Sequence, residues 1–290
     1  MRQALIKKAK LLEKIRAFFD YQNVLEVQTP HLLSHPTTDV YIDSIGMSVN
    51  RDIQQQSKFL HTSPELEMKK LLSQGSGDIF QICQVFRDNE QGSQNFNEFT
   101  LLEYYRLNFD HHQLMDDVAE LVKSLGVKGE VVKLSYTQAF IQFAGIDILN
   151  TDFDVLKLIA KAHDLSTDFE WIEDLQIFLF TALCEPELTQ FPICFIYDYP
   201  AVQSALSKVE GRIAHRFELY LSGVEVANGY DELQDAQAYR QIFNRENDKR
   251  QQLNKTVMSP DADFLIQLEK PLPQCSGVAI GIERLITSID

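Results

Sequence analysis

The fold is decided by the stretch Phe86-Arg87-Asp88-Asn89-Glu90 and by Glu98-Phe99-Thr100-Leu101-Leu102-Glu103-Tyr104-Tyr105-Arg106, which follows it after a short polar segment. Apolar and aromatic residues at Ile79 to Arg87 and at Glu98 to Arg106 are typical of strands. The pattern therefore predicts two antiparallel strands joined by the polar loop Asp88 to Asn97.

The second of these strands carries a carboxylate in an otherwise apolar row. Because strand side chains repeat every two residues, Phe99, Leu101, Glu103 and Tyr105 share one face. Burying an unpaired charge is expensive. We therefore expect Glu103 to need a partner, which a cationic substrate would supply.

The composition favours one globular domain over residues 1–290, with 44% apolar residues and a formal net charge of −15. No apolar run approaches the roughly 18 residues that cross a bilayer, and Met1 to Lys8 lacks the apolar core of a signal peptide. A cytoplasmic protein without membrane contact is expected. The acidic balance argues against an extensive nucleic-acid footprint, since proteins that neutralise phosphates carry a basic face.

Two groups of residues have simple structural interpretations. Four scattered cysteines form no CxxC pair or Cys/His cluster, so buried free thiols are expected instead of disulfides or a zinc site, at Cys83, Cys184, Cys194 and Cys275. A basic cluster is interpreted as the solvated face of a first helix, with a local nucleic-acid patch as the alternative, at Arg2, Lys7, Lys8, Lys10, Lys14 and Arg16.

Helical spacing predicts a first helix that ends near Tyr21-Gln22-Asn23, before the extended segment Val24 to Pro30, and that carries an apolar row of Leu5, Leu12, Ile15 and Phe19. Further helical patterns cover Leu114 to Leu125, Phe153 to His163 and Trp171 to Leu183. A strand is expected from Phe191 to Tyr197. No internal repeat or flexible linker is found.

A hairpin is predicted from His215 to Leu221 and from Val224 to Ala227, around the two-residue turn Ser222-Gly223. If Leu221 faces Val224, strict pairing puts Glu218 opposite Ala227.

That register makes Glu218 and Glu225 diagonal neighbours on one face, about 7 to 8 Å apart at the backbone. Two such carboxylates could share a magnesium ion with substrate phosphates. A solvated sheet face is the alternative on spacing alone.

Several motifs in order resemble the class II aminoacyl-tRNA synthetases. The two strands are similar to the second signature motif, and Gly277-Val278-Ala279-Ile280-Gly281-Ile282-Glu283-Arg284-Leu285 is similar to the third. The resemblance implies an α+β fold with a mostly antiparallel sheet flanked by helices. Because the first helix and strand resemble the first motif, it also implies a homodimer.

The lysyl-tRNA synthetase branch is indicated by His61-Thr62-Ser63-Pro64-Glu65 and by Glu225 to Leu233. Cys275-Ser276-Gly277-Val278-Ala279 is closer still to the short paralogues that attach a lysine-type residue to elongation factor P. Lysyl-tRNA synthetases carry a large N-terminal anticodon-binding domain, whereas here the first motif begins almost at residue 1, so no such domain is expected.

The resemblance implies activation of an amino acid by ATP and Mg²⁺. Arg87 would hold the α-phosphate and the substrate carboxylate, Arg284 the γ-phosphate, and Phe99 the adenine ring. Glu218 and Glu225 would bind the metal, and Glu225 is also counted as catalytic. Further ATP contacts are implied at Asp88, Asn89, Asn95 and Gly281.

For the amino acid, lysine or (R)-β-lysine, the resemblance implies that Glu232 and Tyr105 take the distal ammonium. Glu65 and Glu103 would face the other end, with Ser63 nearby. Because strict alternation turns Asn228 away from Glu225, its role requires a bend, which we expect at Gly229. Ala279 replaces a glycine typical of lysyl-tRNA synthetases, and in the paralogues alanine accompanies preference for (R)-β-lysine.

Two departures leave alternatives open. Asn89 stands where the family commonly has glutamate, and Asn95 where it has histidine. These substitutions favour a non-catalytic paralogue that binds an amino acid or nucleotide, although the retained residues Arg87, Glu218, Glu225 and Arg284 oppose it. The other alternative is a tRNA-aminoacylating enzyme without its anticodon domain, which the acidic balance and Ala279 disfavour.

Overall fold

The computed structural model describes residues 2–51, 54–90 and 96–289. Its helices are α1 (Arg2–Tyr21), α2 (Glu65–Ser73), α3 (His111–Leu125), α4 (Tyr136–Ala144), α5 (Phe153–Ala162), α6 (Ile172–Leu179), α7 (Ala236–Gln252), α8 (Ala262–Gln267) and α9 (Ile282–Ser288). Its strands are β1 (Leu25–Glu26), β2 (Leu32–Leu33), β3 (Gly46–Arg51), β4 (Gln54–Leu60), β5 (Ile79–Phe86), β6 (Glu98–Leu107), β7 (Val131–Ser135), β8 (Ile193–Pro200), β9 (Val209–Glu210), β10 (Ile213–Leu221), β11 (Val224–Asp231) and β12 (Cys275–Gly281).

The main sheet has the strand order β1-β5-β6-β12-β11-β10-β8-β7, with β9 paired to β10. The β1–β5 and β7–β8 pairs are parallel and the other pairs are antiparallel. Strands β2, β4 and β3 form a smaller antiparallel sheet. The expected α+β fold with a mostly antiparallel, helix-flanked sheet is therefore confirmed.

One face of the main sheet, here called the helix face, is covered by α1 and α3. Phe19 of α1 stacks on Phe80 of β5, with ring centroids 4.5 Å apart, and Leu114 and Val118 of α3 belong to the same buried core. Because strand side chains alternate, the residues between these core positions point to the opposite face. That opposite face, here called the cavity face, holds the candidate site.

The strands at the start of the sequence argument form as predicted. In β5 and β6, Gln81 pairs with Glu103 and Ile79 with Tyr105. Phe99, Leu101, Glu103 and Tyr105 all line one cavity, as expected for one strand face.

The first helix ends at Tyr21, as predicted, but its apolar row differs at the start. Leu11, Ile15 and Phe19 are buried, whereas Leu5 is 65% exposed. Leu11 is the first buried residue of the helix, so the apolar row begins about two turns later than predicted. The four cysteines are free and buried, as expected.

The third predicted helix, Trp171 to Leu183, is shorter than expected. Helix α6 spans Ile172–Leu179 and continues as a π-helical turn, Phe180–Cys184, and a 3₁₀ segment, Glu185–Gln190. Pro186 cannot donate a backbone hydrogen bond to a continuing α-helix.

The hairpin register differs from strict pairing, and the difference matters for the site. Leu221 pairs with Val224 and Tyr220 with Glu225, as predicted, but Glu218 pairs with Asn228 and not with Ala227. A β-bulge next to Leu219 absorbs one extra residue of β11. The bulge shifts the alternation, so the expected bend lies here and not at Gly229.

Candidate active site

A cavity of about 360 Å³ lies on the cavity face, between strands β6, β12 and β11 and the loops around them. Pockets of this size hold small molecules. It collects most of the residues singled out in the sequence, namely Ser63, Glu65, Arg87, Phe99, Glu103, Tyr105, Glu225, Asn228, Glu232, Ala279, Gly281 and Arg284.

Strand pairing explains how distant residues meet here. Glu103 is directly opposite Ala279, and Ala279 is directly opposite Asn228. The bulge brings Glu218 into the same row, opposite Asn228. One line across four strands thus carries both the carboxylate of the predicted amino-acid site and that of the predicted metal site.

Glu103 is 2% exposed and accepts hydrogen bonds from two neutral donors. Ser63 Oγ donates to Oε2 at 2.7 Å, and the Tyr105 hydroxyl donates to Oε1 at 2.6 Å. Burial, followed by the charge of Glu65, raises the pKa of Glu103 to about 7. No lysine or arginine among the described residues is paired with it, so its cationic partner remains to be supplied.

Beside Glu103, a lysine is buried completely between two carboxylates. Lys69 Nζ lies 2.5 Å from Glu65 Oε1 and 2.6 Å from Glu232 Oε2, and its side chain is 0% exposed. Burial and the nearby acids raise the pKa of Glu232 to about 8, whereas the two acids hold the pKa of Lys69 well above its usual range. The ammonium therefore stays charged and orients both carboxylates.

The charges at this end of the cavity do not cancel. Glu65, Glu103 and Glu232 provide three carboxylates, and Lys69 provides one ammonium. Fully ionised, the group carries two uncompensated negative charges. A ligand with two ammonium groups would balance them.

Close packing shapes the same end. A Cβ atom on Gly277 would lie 2.3 Å from the Tyr105 ring and 2.7 Å from Glu232 Oε1. Only glycine leaves these side chains in place. The side-chain oxygen of Asn228 is buried without a hydrogen-bond partner among the described residues, so it is available to a ligand donor.

The other end of the cavity carries two arginines. Arg87 lies with its guanidinium 5.1 Å from the centre of the Phe99 ring, and burial lowers its pKa from the ordinary value. Arg284 donates to the Glu225 carbonyl oxygen at 3.0 Å and reaches Glu225 Oε2 at 3.4 Å. Both guanidiniums lie on the cavity wall, where an anionic group could bind in a fork.

The predicted metal carboxylates are close enough to influence each other. Burial, and then the charge of Glu218, raise the pKa of Glu225 to about 7. Arg216 Nη2 lies 2.5 Å from Glu218 Oε1, and the Tyr220 hydroxyl donates to Oε2 at 2.8 Å. A divalent cation would remove the repulsion between the two acids, so these residues fit Mg²⁺.

A family model described as tRNA synthetases class II (D, K and N) matches residues 1–289. The chain belongs to this family. Curated relatives named elongation factor P (R)-beta-lysine ligase come from Avibacterium paragallinarum, Histophilus somni and Vibrio cholerae, at 39%, 40% and 39% identity. These matches cover 98%, 98% and 97% of this chain and 90%, 90% and 89% of the relatives.

Some residues that the family resemblance implied lie outside the cavity lining. Asp88 and Asn89 are exposed, and the Asn89 backbone N–H donates to Asp88 Oδ1 at 2.9 Å. Glu218 lies in the row described above but does not line the cavity. Asn95 lies outside the described residues.

Sequence reasoning missed two residues of the cavity lining or its support, Lys69 and the acid Glu246. Lys69 follows Glu65 by one helical turn, a spacing that indicates an ion pair, but its bond to Glu232 depends on the fold. Across the cavity, Thr38 donates to Glu246 Oε2 at 2.5 Å. Burial raises the pKa of Glu246 to about 7.

The basic cluster of α1 is mostly solvent-facing, as interpreted. Lys7 and Lys8 are exceptions. The Lys7 ammonium donates to the Ile286 carbonyl oxygen at 3.0 Å, and that of Lys8 donates to Thr100 Oγ1 at 2.7 Å and to Glu283 Oε1 at 2.8 Å. Within the described ranges, no helix combines the length and apolar character needed to cross a bilayer.

Proposed function

We propose that this protein is an ATP-dependent ligase that activates a lysine-type amino acid, with (R)-β-lysine favoured, and transfers it to a lysine side chain of elongation factor P. The observation that carries the proposal is the surplus of carboxylates over cations at the acidic end of the cavity, which amounts to two negative charges when all the groups are ionised. It suits a substrate with two ammonium groups. The names of the relatives support the β-isomer and the acceptor.

In the first step, a substrate carboxylate oxygen attacks the α-phosphorus of ATP, and the bond to the β-phosphate oxygen breaks to release pyrophosphate. Arg87 and Arg284 are placed to neutralise the phosphates, so catalysis rests on positioning and charge compensation. Glu218 and Glu225 would hold Mg²⁺, which supplies further neutralisation of the phosphates when bound.

The substrate ammonium groups are positioned by the acidic end of the cavity. Glu103 takes one ammonium, and Asn228 Oδ1 accepts a hydrogen bond from the same ammonium. Glu232, oriented by Lys69, takes the other together with Tyr105. Each buried ammonium is thereby compensated, without which its desolvation would be prohibitive.

In the second step, the neutral amine of the acceptor lysine attacks the carbonyl carbon of the adenylate. The bond between the carbonyl carbon and the phosphate oxygen of AMP breaks, and an amide forms. The proton of the attacking amine is transferred to a base. Glu246 lines the cavity with a pKa near neutrality, and we propose it as that base.

We also propose a homodimer and a cytoplasmic location, where ATP and translation factors are available. Apolar side chains remain exposed on α1 and on the strand that follows it, with Leu5 at 65%, Tyr21 at 89% and Leu25 at 56%. Sedimentation at micromolar concentration should give the mass of two chains, and the mass of one chain would contradict the proposed homodimer.

The test is ATP–pyrophosphate exchange with purified protein, Mg²⁺ and four amino acids: (R)-β-lysine, α-lysine, ornithine and norleucine. Norleucine is the matched control, because it keeps the chain length of lysine but lacks the distal ammonium. Exchange should be strongest with (R)-β-lysine and absent with norleucine. Exchange with norleucine would reject the ammonium assignment, and the absence of exchange with all four amino acids would reject the proposed activation step.

Acceptor identity is tested separately with labelled amino acid, by comparing unmodified elongation factor P with lysine tRNA. Label should appear on the protein factor and disappear when its acceptor lysine is replaced by methionine. Label on the tRNA alone would favour a tRNA-aminoacylating enzyme. Tight binding of the amino acid without exchange would favour a non-catalytic paralogue.

A further inference from the structure

A cluster of imidazoles and carboxylates lies on the helix face of the sheet, away from the cavity. It joins four elements, with His111 at the start of α3, Asp198 in β8, His215 in β10 and Asp231 at the end of β11. A ring nitrogen of His111, a ring nitrogen of His215 and a carboxylate oxygen of Asp231 lie within 4.8 Å of one another. These four residues are far apart in the sequence, so the fold brings them together.

His111 has an orientation that suits a metal ligand. Its side chain is 4% exposed, and its Nε2 atom lies 2.9 Å from Asp198 Oδ1. Its Nδ1 atom is buried without a hydrogen-bond partner among the described residues. Histidines that bind metals usually donate one ring N–H to a carboxylate and use the other nitrogen as ligand.

The backbone is distorted at the residues that bring the cluster together. Asp198 has a φ of 57° within strand β8, a conformation that costs energy for a residue with a side chain. Opposite it, the pairing of β10 with β8 shifts between Ala214 and Phe217, and His215 lies in this bulge. Bulges of this kind redirect side chains and are common near functional sites.

The surrounding charges leave room for a cation. Asp231 Oδ2 lies 3.8 Å from His215 Nδ1 and 3.9 Å from Lys208 Nζ, and both distances are longer than a hydrogen bond. The other carboxylate oxygen, Asp231 Oδ1, accepts a hydrogen bond from Gln274 Nε2 at 2.9 Å. His215 Nε2 lies 3.7 Å from Glu210 Oε2. The Lys208 side chain is 47% exposed and is free to turn away.

We propose that His111, His215 and Asp231 bind one divalent transition-metal ion of the zinc type, with Asp198 orienting His111. Two imidazoles and one carboxylate are a ligand set that Zn²⁺ accepts, with water as the fourth ligand. Ligand distances of about 2.0–2.2 Å would draw these side chains together. The ion would link α3 to strands β10 and β11.

This position connects the ion to the cavity through the backbone. Asp231 precedes Glu232, which contacts Lys69, and His215 precedes Arg216, which contacts Glu218. The ion would therefore fix, from behind, the two strands that present carboxylates to the cavity. The ion would therefore have a structural role and would be separate from the proposed Mg²⁺ site.

The experiment is a calorimetric titration of the 290-residue protein with Zn²⁺ in excess Mg²⁺. Before the titration, the protein is treated with a chelator, and the chelator is then removed. Co²⁺ is titrated in parallel, because its absorption spectrum reports nitrogen and oxygen ligation. We expect one equivalent of Zn²⁺ and a higher melting temperature in its presence. No stoichiometric binding, or no change in melting temperature, would overturn the proposal.

Variants locate the ion. His215→Ala should weaken Zn²⁺ binding at least tenfold, and because His215 is partly exposed, the variant should fold. Asp231→Asn, which preserves shape, should have the same effect. His31→Ala is the matched control, since His31, His61 and Cys83 form another group of potential ligands. Loss of binding in the control, or undiminished binding in His215→Ala, would place the ion elsewhere.

Discussion

The ammonium of Lys69 lies 2.6 Å from the carboxylate of Glu232 and 2.5 Å from that of Glu65, and solvent reaches almost none of the first pair. Glu232 therefore has a resident cation before any substrate arrives. The carboxylate that lacks one is Glu103, which receives only hydroxyl donors. The acidic end of the cavity thus combines two carboxylates that share one ammonium with a third carboxylate, Glu103, that has no cation.

Replacing Lys69 by methionine should destabilise the protein by about 3 kcal/mol or more, because removing one partner leaves buried carboxylates uncompensated. The KM for the amino acid should rise as well, since Glu232 and Glu65 lose their orientation. Urea unfolding and ATP–pyrophosphate exchange measure the two effects.

The matched control for this change is Lys70→Met. Lys70 is the next residue on α2 and pairs with Glu67 and Asp261, but it does not contact Glu232. Its loss should lower stability and leave the KM for the amino acid unchanged. An equal rise in KM in both variants would mean that Lys69 has no positioning role.

Several buried carboxylates should make the ligand-free protein less stable as the pH rises. Glu103, Glu225 and Glu246 each have a pKa raised to about 7 by burial, from an ordinary value of 4.5. Between these values the folded state binds more protons than the unfolded state, so the free energy of unfolding falls from about pH 5 to about pH 7. Each group contributes at most about 1.4 kcal/mol per pH unit.

Thermal unfolding at a series of pH values measures this slope, and Glu246→Gln should reduce it by the share of one carboxylate. The replacement keeps the shape and the contact with Thr38 while it removes the titration. A slope identical to that of the unmodified protein would mean that Glu246 is already ionised at pH 5. Saturating dicationic substrate should also flatten the slope, through Glu103.

Much of the cavity follows from sequence patterns because its walls are strands. Alternation in β6 places Glu103 beside Tyr105 on one face, and the structure keeps that arrangement. The bulge next to Leu219 is different. Its extra residue is Val226, with no glycine or proline to signal it, so the partner of Glu218 was predicted one residue too early.

The contacts of Lys69 and of the histidine cluster were beyond sequence reasoning for another reason. Glu232 lies 163 residues after Lys69, and His215 lies 104 residues after His111. No periodicity links residues so far apart. Only the strand order, with β12 between β6 and β11, brings such segments together.

Gly277→Ala should destabilise the protein by about 1 to 3 kcal/mol, the usual range for overpacking. The added methyl group would meet the Tyr105 ring at 2.3 Å and Glu232 Oε1 at 2.7 Å. Gly281→Ala is the control for stability, because a Cβ there would have no neighbour closer than 4.0 Å. Chemical denaturation compares the two, and equal stability losses would show that Tyr105 and Glu232 relax to accept the methyl group.

Arg87→Ala should slow adenylate formation about 100-fold or more, as expected when a group that stabilises developing charge is removed. The fold should persist, because Arg87 forms no ion pair with the acids of the described part of the chain and its Nε atom makes only a long contact, 3.4 Å, with the Thr62 carbonyl oxygen. ATP–pyrophosphate exchange measures the rate, and Arg212→Ala, at an exposed arginine, is the control. Unchanged exchange would remove Arg87 from the mechanism.

Glu103→Gln tests whether the carboxylate that has no cation selects the substrate. Glutamine keeps the shape and can still meet Ser63 and Tyr105, but it cannot compensate an ammonium. The kcat/KM for (R)-β-lysine should fall about 30-fold to 100-fold, the equivalent of about 2 to 3 kcal/mol. In the unmodified protein kcat/KM should rise with pH through about 7, as Glu103 loses its proton, and this rise should be smaller in the variant. If the variant kept both the rate and the pH profile, the cation would bind elsewhere in the cavity, and Glu65 would be the next carboxylate to replace.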